Sequence, residues 1–228
     1  MWEATTVKAM DLAAKSVPFG GSPLRQIHRA HVEEWVKSMT MSKLAPGTIR
    51  TRFNNVRSVF RAAVRDRLIT HDPSEGVPLP RLRRRESAMT LPTHEQVSAL
   101  LQAADPPFQA FLAVSAFAGL RLGEAAALQV GELDNAYQRL HVRRQVQRAG
   151  GDEVDVRAPK YGSERTVFLP TALVELLERH IIDNGISRRP DQWLFHGQAG
   201  LPPHQNTIGH RWRTTLRKAG ITGIKLMT

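Results

Sequence analysis

Apolar residues recur at helical spacing through the first seventy positions, and Gly and Pro mark the breaks. "ATTVKAMDLAAK" reads as an opening helix, "VPFGGSP" interrupts it, and "HRAHVEEWVKSMT" follows with Val32, Trp35, Val36 and Met39 on one side. "LAPGT" is a turn, and Thr48 is placed to cap a third helix running to about Leu68. On that helix Ile49, Phe53, Val56, Phe60 and Ala63 share one face at about 100° per residue. Arg50, Arg57, Arg61 and Arg65 share the adjoining face, so a basic ridge runs beside an apolar stripe. No acidic residue falls between Lys43 and Arg65, and the ridge reads either as a solvated surface or as one that faces phosphate.

Between residues 70 and 92 the periodicity lapses into a proline-rich run with a basic cluster at Arg81, Arg83, Arg84 and Arg85, the mark of a linker. "LPTHEQVSALLQAA" then opens a second region, with Thr93 as N-cap and Gln96 three residues on in a capping-box pattern. "PPFQAFLAVSAFAGL" is apolar all round and predicts a central core helix, and "GEAAALQV" a short helix after it. The period next falls to two. "QRLHVRRQVQ", "DEVDVRAP" and "ERTVFLP" predict three short antiparallel strands, joined through "AGG" and "KYGS". "TALVELLERHIIDNG" returns to helix with Gly185 as C-cap, and "PHQNTIGHRWRTTLRKAG" is a last helix ending at Gly220. The expected fold class is mainly α with a small antiparallel β-sheet (α+β), in a helical domain over 1–80, a linker over 81–91 and a second domain over 92–228.

Charge narrows the partner. Thirty-two Lys plus Arg against twenty-one Asp plus Glu leave a formal +11 over 228 residues, which points to a polyanion, with nucleic acid ahead of an anionic membrane surface. No run reaches the roughly 20 apolar residues of a membrane-spanning helix. The chain has no cysteine, which excludes disulfides and thiolate zinc sites, and "MWEATTVKAM" has neither the basic nor the apolar region of a signal peptide. A cytoplasmic location is expected. His204 and His210, six residues apart on a helix, point about 120° from each other and do not suit a shared metal. No metal site, P-loop or dinucleotide glycine pattern is read, and no cofactor is expected.

One constellation carries chemistry. "AGLRLGEAAALQVGELD", "APKYGSERTVFLP" and "LRKAGITGIKL", in that order behind a basic helical domain and a Pro/Arg linker, resemble a phage-type integrase of the tyrosine recombinase family. The resemblance implies that Arg121 is the first catalytic arginine, gripping the scissile phosphate. A planar guanidinium suits that task, because it engages two non-bridging oxygens and stabilises charge developing on phosphorus. It further implies that Glu124 supports Arg121 and that Lys160 protonates the leaving 5′ oxygen. Domain 1–80 becomes a core-type DNA-binding domain, and 92–228 a C-terminally shortened catalytic domain.

The family pattern continues after a segment like "GIKL" with His-x-x-Arg-His and a nucleophilic tyrosine. These 228 residues contain neither motif, and Tyr137 and Tyr161 do not match the nucleophile's position. The expectation is therefore core-site duplex DNA binding without cleavage, by a monomer in the absence of DNA, with full-length recombinase subunits as further partners. The alternative is a non-catalytic regulator or competitor of a full-length recombinase. Expected DNA contacts are Lys43, Arg50, Arg57, Arg61, Arg65, Arg81, Arg83, Arg84, Arg85, Arg143, Arg211 and Arg213, with Arg139, Arg144, Arg217 and Lys218 adding basic surface.

Overall fold

The structure, a computed structural model, describes residues 4–81, 91–148, 153–159 and 162–226. The chain divides into two compact units, Met1–Ser87 and Ala88–Thr228, each with a hydrophobic core of its own. Lys160, Tyr161, Arg83, Arg84 and Arg85 lie outside the described residues.

In the first unit, helices α1 (Ala4–Lys15), α2 (Arg29–Met41) and α3 (Pro46–Arg65) pack around Trp35, which is 1% exposed and meets Phe19 edge-on at 6.2 Å between ring centroids. The indole Nε1–H donates to the Ser16 carbonyl at 2.9 Å, so the largest buried side chain leaves no polar group unmet. The residues α3 buries are Ile49, Phe53, Val56, Phe60 and Ala63, the stripe its periodicity predicts. Its start differs from expectation. Ala45 is the N-cap and Pro46 the first helical residue, which leaves Thr48 inside the first turn. Proline lacks the N–H that a cap would satisfy, and its fixed φ suits that first position, so the helix begins three residues early. It also stops at Arg65 rather than near Leu68, and Arg67 adopts φ 58°. The chain from 70 to 80 is no free linker: Val77 is buried, and Ile69 and Leu79 pack on the same core.

The second unit begins as expected. Thr93 Oγ1 accepts from the Gln96 N–H and Gln96 Oε1 accepts from the Thr93 N–H, completing the capping box of α4 (His94–Ala103). Helix α5 (Pro106–Phe117) buries Phe108, Phe111, Leu112 and Val114 in the core, and α6 (Leu122–Ala126) follows after a turn. Strands β1 (Leu133–Asp134), β2 (Arg139–Val142) and β5 (Arg165–Phe168) form one antiparallel sheet in the order β1-β2-β5. Strands β3 (Gln145–Arg148) and β4 (Val154–Arg157) form a separate two-stranded sheet. The single strand expected over "QRLHVRRQVQ" is thus two strands in different sheets, parted at Arg143–Arg144.

Two features cause the split. Arg144 Nη1 turns inward to Glu132 Oε1 at 2.6 Å, and Val146 is drawn onto α6, where a Cβ on Gly123 would lie 2.6 Å from the Val146 carbonyl oxygen. Helix α7 (Thr171–Asp183) ends at Asn184, with Gly185 at φ 59° in the left-handed conformation that glycine adopts without steric cost. Helix α8 (Gln205–Lys218) buries Ile208 and Thr215. Among the described residues no helix is long and apolar enough to cross a membrane.

Candidate nucleic-acid interface

Arg121 is the N-cap of α6 in extended conformation, so its side chain leaves the helix start and is 62% exposed. Its anchor is Glu124, one turn on and 1% exposed. Glu124 Oε2 accepts from the Arg121 backbone N–H at 3.0 Å, and Oε1 accepts from Arg121 Nη1 at 2.9 Å. A second arginine, Arg165 on β5, donates Nη1 to Oε1 at 3.1 Å and Nη2 to Oε2 at 2.8 Å. Burial pushes the Glu124 carboxyl up, but the donors from Arg165 and Arg121 outweigh it and hold the group below the usual carboxylate range. The same contact raises Arg165 further above its already high value. The carboxylate is ionised at neutral pH and ties an exposed guanidinium, a short helix and a strand together.

The structure brings Arg121 and Glu124, both named from the sequence, into contact and adds Arg165, which sequence reasoning did not name. A signal was present: Val167 faces the core in a period-two strand, so Arg165, two residues earlier, points to the same side and needs an anion there. A second buried carboxylate repeats the arrangement. Glu132 Oε2 accepts from the Gln129 N–H at 2.9 Å while Oε1 takes Arg144, and Glu132 is 3% exposed. Here burial outweighs the donors and the carboxyl is raised. Arg144 is accordingly half-engaged inside the fold, whereas its neighbour Arg143 is exposed.

The expected basic surfaces resolve unevenly. On α3, Arg57, Arg61 and Arg65 line a shallow groove with Asn54 and Ser58, stepping about 6 Å along the axis at each four-residue interval. Arg57 Nε also lies 3.6 Å from Asp72 Oδ2, so this residue is partly anchored, while Arg50 Nε is buried without a hydrogen bond. Lys43, in the turn before α3, and Arg81 are exposed. On α8, Arg213 and Arg217 are exposed on one face four residues apart, with Lys218 exposed and Arg211 half-buried. Arg139 sits over the rings of Tyr137 and Phe168, at 5.0 and 5.4 Å from their centroids. His204 caps α8 by accepting from the Asn206 N–H through Nδ1, and His210 is exposed. Among the described residues no group of three or more His, Asp or Glu is arranged to hold a metal ion.

A small antiparallel sheet follows the helices of the second unit in the chain, and Arg121, at the start of α6, is a cation fixed on a buried acid. The chain belongs to the phage integrase family, whose model matches residues 91–227. It is 25% identical over 222 residues to a tyrosine recombinase of Pseudothermotoga lettingae, covering 87% of this chain and 71% of that one. It is 26% identical over 164 residues to a putative prophage phiRv2 integrase of Mycobacterium tuberculosis, covering 72% of this chain and 43% of the relative, so it spans less than half that protein's length. A lambda integrase dimer bound to a COC′ core site shares the fold with a TM-score of 0.73 at 14% identity, over 97% of this chain and 74% of that one.

Proposed function

We propose that this chain binds the core site of duplex DNA in site-specific recombination, in the host cytoplasm, and that Arg121 is its contact to the scissile phosphate. The observation that carries the reading is the contrast at one ion pair: Glu124 is 1% exposed and Arg121 62% exposed. A guanidinium stiffened from beneath by a buried acid meets an oxyanion with little ordering left to lose. The cations of α3 and α8 add sequence-independent attraction to the backbone. With tyrosines at 137 and 161 alone, neither matching the family's nucleophile, these 228 residues bind the strand and do not cleave it.

Fluorescence anisotropy against a core-site duplex tests binding. If about six cations reach phosphates, log K falls against log salt with a slope of about −5. Arg121→Ala is expected to weaken binding about tenfold, the loss of one charge-assisted contact. Equal affinity for a scrambled duplex would refute site recognition. An unchanged Arg121→Ala affinity would leave a protein acting by occupancy alone, without a phosphate grip. A covalent adduct accumulating on a nicked suicide substrate would overturn the absence of cleavage.

A further inference from the structure

Glu124 is shared, and the sharing is unequal. Arg165 takes both carboxylate oxygens through Nη1 and Nη2, whereas the Arg121 side chain takes one oxygen through Nη1. The remaining site on Oε2 is filled by the Arg121 backbone N–H. Two guanidinium charges therefore meet one carboxylate charge, and among the described residues neither arginine pairs with a second acid. Arg121 Nε and Nη2 make no hydrogen bond to another described residue. Counting the described residues, the cluster carries one uncompensated positive charge, and it belongs to the more exposed partner, at 62% against 34%.

We propose that Arg165 is a positioning residue that neutralises Glu124 so that Arg121 keeps its charge and its outward donors for a DNA phosphate, a role that rests on the phosphate reading of Arg121 above. Without Arg165 both carboxylate oxygens lie open to Arg121. A bidentate pair between Arg121 and Glu124, the geometry this ion pair favours, would cancel the charge and turn the donors inward. Arg165 thereby makes the difference between a structural ion pair and an anion receptor, without touching the ligand.

The test is a set of DNA affinities at fixed salt, each variant checked for a native melting transition. Arg165→Gln is expected to lose about as much affinity as Arg121→Ala, about tenfold, and to cost nothing further when Arg121 is already Ala, because both remove the same contact. Glu124→Gln added to Arg165→Gln is expected to restore most of the loss, since a neutral amide no longer captures Arg121. Glu132→Gln added instead makes the same charge change elsewhere and is expected to restore nothing. Arg165→Lys, which keeps the charge, is expected to retain most of the affinity.

Additive losses from Arg121→Ala and Arg165→Gln would show Arg165 contacting DNA itself and overturn the proposal, and so would equal rescue by the two glutamate variants. If the variant carrying both Arg165→Gln and Glu124→Gln does not fold, the cycle between Arg121 and Arg165 decides alone. A loss on Arg165→Gln with none on Arg121→Ala overturns both the phosphate grip and this role. Arg121→Ala weakening binding while Arg165→Gln does not leaves the phosphate grip standing and removes Arg165 from it.

Discussion

Glu124 and Glu132 sit at equivalent places in two short helical turns, yet their ionised forms are favoured to opposite degrees. Four donors reach Glu124, including a bidentate guanidinium, and hold its carboxyl below the usual range. Two reach Glu132, and burial raises its carboxyl instead. Removing the charge should therefore hurt at one position and not the other. At neutral pH, Glu124→Gln is expected to destabilise the second unit by about 2 kcal/mol, and Glu132→Gln by less than about 1 kcal/mol, read from thermal unfolding.

The pH dependences have opposite signs. Glu124's contribution is complete above the carboxyl value of the unfolded chain and is lost as pH falls through its lower folded value. Glu132's ionisation costs stability as pH rises from the unfolded value to the higher folded one, so acid relieves it. Equal destabilisation by both variants across that range would contradict the assignment. At this scale Arg121 and Glu124 entered through the family resemblance of the segment that holds both, three residues apart, whereas Arg165 lies 41 residues from Glu124. No local period reports a partner at that distance.

At the scale of elements, the break between β2 and β3 is the feature that pattern alone did not reveal. Leu140, Val142 and Val146 fall on one period of two, interrupted only by Arg144, which is why one strand was expected. Periodicity tells which face is apolar; it does not tell which sheet a strand joins. That choice rests on Gly123, whose missing side chain admits the Val146 carbonyl, and on Arg144 leaving the ladder for Glu132. Gly123→Ala places a Cβ 2.6 Å from that oxygen, backbone that has no flexible end to move aside. An overpacking cost of about 1–3 kcal/mol is expected, together with faster amide exchange in β3 and β4 than in β2. An unchanged melting temperature would show that β3 is not seated on α6.

For the whole molecule, the two hydrophobic cores have no member in common. Phe60→Ala, which empties the middle of the first core, is expected to cost about 3–5 kcal/mol there and to lower one calorimetric transition while leaving a second in place. A single transition shifting as a whole would show that the units unfold together.

What the sequence by itself determined is what short-range chemistry encodes. The buried faces of the helices, the Thr93 capping box and the left-handed Gly185 follow from neighbours within a turn or two, and the cationic balance and the order of the integrase motifs are read along the chain without any contact. The tertiary structure decided which charges are spent inside the fold and which remain for a ligand. Arg144 is held by Glu132, and Arg165 holds Glu124, so the exposure of Arg121 depends on residues brought together from distant parts of the chain. Periodicity can put an arginine on an inward side, as at Arg165, but only the folded backbone decides whether a carboxylate lies within its reach.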